Sequence, residues 1–231
     1  MKVNINSTKY ILLYACGVVL VVAFLLAFFS SVLRAPSEAN ERIDQQKQIL
    51  ASLNMRPEKS DVEAQYKQVV VADPIVDTLG NVVSESGGFK VKRKDIGKPQ
   101  LPVYICQING ETKYVLPLVG KGLWGTIWGY LALNADCETV YGAYFSHESE
   151  TAGLGALIAE EKFQSEFKGK KIHDAEGNYL SVVKFGAKQE HPETQCDGIS
   201  GATLTTNGVN AMISDYLKLY KNFLNKKKQN L

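Results

Sequence analysis

The chain of 231 residues has only four cysteines, none close to another in sequence. Cys16, Cys106, Cys137 and Cys196 lie far apart, and no C-x-x-C occurs. With only three histidines, no zinc or haem spacing is present either, so no metal site is expected. Buried free thiols are the plain reading of the cysteines. A structural disulfide would require an extracytoplasmic setting, and the three thiols outside the N-terminal apolar segment would leave one over. A formal net charge of +2 is too small to argue for nucleic acid. Basic residues cluster at Lys168, Lys170 and Lys171 and at Lys226, Lys227 and Lys228. Solvated surface is the plain reading of both clusters, and contact with lipid headgroups or a partner is the alternative. No internal repeat or low-complexity tract is present.

Charge is wholly absent from residues 10–33, YILLYACGVVLVVAFLLAFFSSVL. As a helix this stretch reaches roughly 36 Å, enough to cross a hydrocarbon core of about 30 Å. Tyr10 and Tyr14 sit at one end, where aromatic rings favour the membrane interface. A cleaved signal peptide would have a shorter apolar core and an A-x-A site, whereas this run passes straight into Ser30-Ser31-Val32-Leu33-Arg34. Leu13-Tyr14-Ala15-Cys16-Gly17 is faintly similar to a lipidation site, but a second long apolar run follows the cysteine. A retained single-span anchor is therefore expected. Lys2 and Lys9 on one side nearly balance Arg34, Arg42 and Lys47 on the other, so charge does not fix its orientation.

The remainder divides by composition. A short tail covers residues 1–9 and the transmembrane helix residues 10–33. Residues 34–60 read as a juxtamembrane helix or linker, with Ile43, Ile49, Leu50 and Leu53 at weak helical spacing. Residues 61–225 form one domain, and residues 226–231 a basic tail. Within the domain a short helix is expected over residues 62–69, capped by Ser60 or Asp61. Strands are expected over 69–76, 101–107, 112–118, 130–133 and 140–145, with Asn109-Gly110 as a hairpin turn. Helices are expected over 157–167 and 209–224. In the latter, Val209, Met212, Ile213, Tyr216, Leu217, Tyr220, Phe223 and Leu224 repeat at i, i+3, i+4, i+7. The fold class is α+β with a mostly antiparallel sheet.

Asp197-Gly198-Ile199-Ser200-Gly201-Ala202-Thr203 stands just before that last helix. Thr205, Thr206 and Asn207 are capping types. Gly198 and Gly201 let the backbone come close to a ligand, including at positive φ. A helix N-terminus offers free amides and a positive dipole end, so it suits a phosphate. Gly201 and Ala202 leave room for a ribityl phosphate. These residues favour an anion near Thr203, and a simple helix cap accounts for them as well. His147 and His191 have no recognisable partners and no second cysteine lies near Cys196, so no catalytic residue is expected.

The heptad DGISGAT resembles the flavinylation signature of the periplasmic FMN-binding domains. Two further blocks resemble the same family, in particular its NqrC-type members, which serve in the sodium-translocating NADH:quinone oxidoreductase. One is GKGLWGTIWGYLAL over residues 120–133. The other is Glu150-Thr151-Ala152-Gly153-Leu154-Gly155, with Ala152 where the family has proline. The order of anchor, glycine-tryptophan segment, ETxGLG turn and threonine also agrees. The resemblance implies FMN esterified through its phosphate to Thr203 by a flavin transferase. Asp197, Ser200, Gly201 and Ala202 would lie around the attachment point. Glu150, Thr151, Gly153 and Leu154 would form a turn beside the phosphate and ribityl chain. Trp124 would cover the ring or else pack in the core, and Leu123 would add an apolar wall. It further implies an extracytoplasmic FMN domain on the periplasmic side of a bacterial inner membrane. Its partners would be the other subunits of a complex that carries electrons from NADH to ubiquinone and exports Na⁺. The related electron-transport subunit of the ion-translocating ferredoxin:NAD⁺ oxidoreductase (Rnf) shares the anchor and the threonine signature. A membrane-anchored binding domain without a redox cofactor is the remaining alternative.

Overall fold

The computed structural model describes residues 7–97 and 100–229, so most of the 1–9 tail and the last two residues of the 226–231 tail lie outside the described residues. The first element is one helix, α1 (Thr8–Ser52), which contains Pro36. Its N-terminal part has a mean hydropathy of 2.9 over an 18-residue window and is long and apolar enough to cross a membrane. Leu13 and Phe24 are 75% and 69% exposed there, as a lipid-facing surface requires. Of the two readings of residues 34–60, helix or linker, the structure has the stretch up to Ser52 as helix, continuous with the apolar segment. Pro36 removes one helical hydrogen bond, but the Arg34–Glu38 ion pair (2.9 Å) spans that turn and the chain continues. Residues up to Gln45 form one compact unit and residues from Gln46 onward a second.

In the second unit the last turns of α1 belong to the core. Ile49, Leu50 and Leu53 are 0–1% exposed. α2 (Val62–Val69) follows, as expected, although Asp61 forms no side-chain cap. Then come β1 (Val70–Ala72), β2 (Ile75–Val76), β3 (Val82–Ser84), β4 (Leu101–Pro102), β5 (Tyr104–Ile108), β6 (Glu111–Lys121), β7 (Thr126–Leu133) and β8 (Val140–His147). β1-β5-β6-β7-β8 form an antiparallel sheet, and β3-β2-β4 form a second one. Asn109 and Gly110, at φ +51 and +83, make the β5–β6 hairpin turn.

The single helix expected over 157–167 is two pieces. A 3-10 turn (Gly155–Ala159) precedes α3 (Glu161–Ser165), with Glu160 extended between them. The Gln164 side-chain amide donates to the carbonyls of Phe145, Ile158 and Ala159, which holds the break closed. β9 (Ser181–Val183) and β10 (Gln195–Asp197) pair in parallel and were not foreseen. α4 (Thr203–Lys228) runs longer than its periodicity indicated, taking the Lys226–Lys228 cluster into its last turn.

All eight apolar residues of the α4 stripe are buried. They pack on the face of the large sheet that carries Tyr114, Leu116 and Leu118, with Tyr114 edge-on to Phe223 at 6.1 Å. The opposite face carries Trp128, whose Nε1 donates to Gln48 of α1 (3.0 Å) and whose ring lies under the Arg93 guanidinium (3.5 Å). The sheet is thus covered on both sides. Cys106, Cys137 and Cys196 are free and buried, and Cys16 is exposed on α1. Burial pushes the three core thiols up to about 12, 11 and 12, away from the thiolate form.

Two outcomes follow for the full chain in detergent. Leu50→Ala is expected to destabilise the domain by about 2–5 kcal/mol in urea unfolding, as a core position does and a linker does not. At neutral pH a maleimide is expected to leave Cys106, Cys137 and Cys196 unlabelled until denaturant is added, read by intact mass.

Candidate functional site

Thr203 is the first residue of α4. The chain reaches it through Gly201, whose φ of +74° lies in the region open to glycine. A Cβ on Gly201 would lie 2.9 Å from Cδ2 of Leu154. The first helical hydrogen bond is Thr206 N–H to the Ala202 carbonyl, 2.9 Å. Ala202 occupies the cap position, and no side chain caps the helix. The amides of Thr203, Leu204 and Thr205 thus stand at the positive end of a 26-residue helix.

The expected caps behave otherwise. Thr205 and Thr206 lie inside the first turn and are buried, 2% and 3% exposed. Thr206 Oγ1 accepts from the Ile199 amide (3.3 Å), and Thr205 Oγ1 donates to Glu150 (2.5 Å). Thr203 and Ser200 are exposed, and Ala202 is buried between them. Asp197, on β10, is half-buried and accepts from Gln189 Nε2 (3.0 Å), so its carboxylate anchors the preceding loop.

Glu150 is buried, and its carboxylate also accepts the Trp124 amide at 2.8 Å. Burial alone would raise this carboxyl, but the hydrogen bonds from Thr205 and from the amides of Trp124, Gly125 and Leu123 outweigh it and hold the group below the usual carboxylate range. His147, expected to lack a partner, accepts the Glu150 amide on Nδ1 (3.2 Å). After Glu150, the Thr151 carbonyl accepts from Leu154 and Ala156, both 3.1 Å, and Gly153 turns at φ +74°. Thr151, Ala152 and Gly153 are exposed.

Four large apolar side chains around this helix start face solvent: Leu123 at 46%, Trp124 at 66%, Leu154 at 42% and Leu204 at 60%. Trp124 is therefore not packed in the core. Phe185 is also exposed, and its amide nitrogen lies 3.4 Å from where a Cβ on Gly198 would sit. Leu204 and Phe185 escaped the sequence reading. Leu204 carried a signal, since it is apolar but lies off the buried stripe of α4. Phe185 carried none, because nothing in its neighbourhood announces that β9 brings it beside Gly198.

Other groups lie apart from this arrangement. The Cys196 thiol is buried and donates to the Glu166 carbonyl (3.5 Å), so it has no thiolate chemistry to offer. His191, also expected to be unpartnered, places Nδ1 3.4 Å from Asp174 and 3.7 Å from Glu176. These three could hold a metal ion by proximity, although Asp174 also closes a turn by accepting from the Glu176 and Asn178 amides.

The arrangement falls within a segment, residues 122–218, that matches the FMN-binding domain family. The chain is 30% identical to the NqrC component of the Na(+)-translocating NADH-quinone reductase of Pseudomonas aeruginosa, over 93% of each protein. It is 29% identical to the corresponding protein of Haemophilus ducreyi, over 90% of this chain and 89% of the relative. The crystal structure of the Parabacteroides distasonis counterpart aligns with a TM-score of 0.77 at 39% identity, covering 83% of this chain and 96% of that one. Shewanella oneidensis NqrC, at 22% identity and a TM-score of 0.73, shares the fold. With 30% identity over nearly the whole length of such a relative and the same fold as its solved counterparts, this protein belongs to the NqrC family of Na(+)-translocating NADH-quinone reductase subunits.

Proposed function

We propose that this chain is an electron-carrying subunit of a Na⁺-translocating NADH:quinone oxidoreductase and bears FMN through a phosphoester on Thr203. The observation that carries this reading is the sorting of hydroxyls at the head of α4. Thr205 and Thr206 are buried with their oxygens engaged, and Thr203 is exposed beside uncapped helix amides. An esterified phosphate there would find N–H donors and a favourable dipole without any basic side chain.

The residues present suit the rest of the group. Gly201 lets Leu154 close in on the backbone that leads to Thr203, where a Cβ would clash. Leu123, Trp124, Leu154 and Leu204 offer exposed apolar surface for a flat ring, and Trp124 offers a face for stacking. Bound FMN supplies reversible uptake and release of electrons, which none of these side chains provides. Ser200, Gly201 and Ala202 form the small-residue approach to Thr203, while Asp197 fixes the strand from which that approach leaves.

In this reading a flavin transferase moves FMN from FAD onto the Thr203 hydroxyl, breaking the pyrophosphate bond and releasing AMP as the hydroxyl gives up its proton, and α1 holds the domain at the bacterial inner membrane with Thr203 on the periplasmic side. Other subunits of the complex supply and withdraw electrons, so that NADH oxidation and ubiquinone reduction are coupled to Na⁺ export. The exposed apolar rim would leave the cofactor within reach of such partners.

Two measurements test this. Coexpressed with a flavin transferase and then denatured, the chain is expected to fluoresce on a gel and to gain the mass of FMN less one water. Thr203→Ala abolishes both signals, whereas flavin that washes off, or label that survives the substitution, overturns the reading. In the folded chain, emission from Trp124 is expected to fall on FMN loading by about half or more, as a ring against the indole requires. Unquenched emission would remove Trp124 from the site.

A further inference from the structure

Three segments distant in sequence meet at the buried carboxylate of Glu150. Oε1 accepts the amide of Trp124 (2.8 Å), on the turn between β6 and β7, and Oε2 accepts the hydroxyl of Thr205 (2.5 Å), in the first turn of α4. The amides of Leu123 and Gly125 turn to the same carboxylate. Its own backbone is held from below by His147. Two glycines make room for it. A Cβ on Gly122 would lie 2.5 Å from Oε1, and one on Gly155 would lie 2.5 Å from both Oε2 and the Thr205 oxygen. A buried carboxylate is costly unless its lone pairs are met, and here backbone amides and one hydroxyl meet them.

We infer that Glu150 is a positioning residue for the flavin site, one that ties the Trp124 turn to the head of α4 so that the indole and the Thr203 hydroxyl share a fixed geometry. It is enclosed by protein and acts through Trp124 and Thr205. This inference rests on the flavin reading above. The charge strengthens each of these bonds: an amide of the same size could still accept the Trp124 amide and donate to the Thr205 hydroxyl, but only as a neutral partner.

The test uses the full chain in detergent. Without a transferase, Glu150→Gln is expected to speed amide hydrogen exchange at residues 123–125 and 203–206 roughly tenfold, as loss of a charge-assisted hydrogen bond does, with the remainder of the domain unchanged. Thr205→Val approaches the same tie from the helix side and is expected to give the same pattern. The double variant should add little to either single change. Val209→Ala, a cavity in the core, serves as the contrast: it lowers the unfolding midpoint without that local pattern. After loading, Glu150→Gln and Thr205→Val still gain the FMN mass, but the visible circular dichroism of the bound ring falls by about half or more as its orientation loosens. A purely structural role would not move that signal apart from stability. Unchanged exchange at 123–125, exchange that rises throughout the domain, or an unaltered ring signal in both variants overturns the positioning role. A wild-type chain that never acquires FMN overturns the flavin reading instead, and leaves the exchange data to judge the tie by itself.

Discussion

A Cβ on Gly208 would lie 2.4 Å from the carbonyl oxygen of Lys121, so α4 and the end of β6 meet backbone to backbone. One turn further on, Gly120 gives its space to Met212. This close approach fixes where α4 begins relative to the β6–β7 turn. Because the helix lies hard against the strand, one carboxylate is long enough to join the Trp124 amide to the Thr205 hydroxyl. Glu150 then fills the remaining gap. Interiors packed at crystal-like density transmit such constraints with little slack, so the site's geometry is inherited from the core beneath it.

The sequence made part of this legible. The α4 stripe was readable because eight apolar residues repeat at helical spacing, and all eight are buried. The β5–β6 hairpin was readable because Asn109-Gly110 is a local signal for a local turn. The helix start was misjudged by several residues: Thr205 and Thr206 look like caps, but a buried carboxylate far away in sequence and the Ile199 amide claim their oxygens. Long-range partners of this kind leave no trace in local pattern. The same holds for the parallel β9–β10 pair, joined by a long excursion with little periodicity, and for Phe185, which that pairing brings to the site. The roles proposed for the heptad and the Glu150 turn come from family resemblance, since composition and spacing alone said no more than an anion near a helix start.

Residues 46–53 were obscure for a different reason. Their apolar spacing is weak, and they follow a proline, so they read as a juxtamembrane helix or linker and not as part of the core. In the structure Ile49, Leu50 and Leu53 are fully buried and Gln48 reaches the Trp128 indole. The spacing is weak because only two turns of the helix are needed to cover the second face of the sheet. That face demands a cover: Trp128, Tyr130 and Ala132 are apolar and would otherwise stand in water. The helix that carries the apolar span therefore also completes the core of the FMN-binding domain.

The exposure of the apolar rim bears on why a cofactor here would be held by a covalent bond. Leu123, Trp124, Leu154 and Leu204 each keep between 42% and 66% of their surface in solvent, so they form a shelf rather than an enclosing pocket. A small ligand on a shelf buries only part of its apolar area, at about 25 cal/mol per Å². Free association costs roughly 4–15 kcal/mol in lost translation and rotation. A shelf recovers too little to offset that, whereas an ester to Thr203 meets the cost once, when the bond forms, and each shelf contact thereafter acts within one molecule. Tethering thus permits what tight noncovalent binding opposes, a redox group kept open on one side to its electron partners. On the proposed reading, the openness of the site and an ester at Thr203 would be two consequences of one requirement.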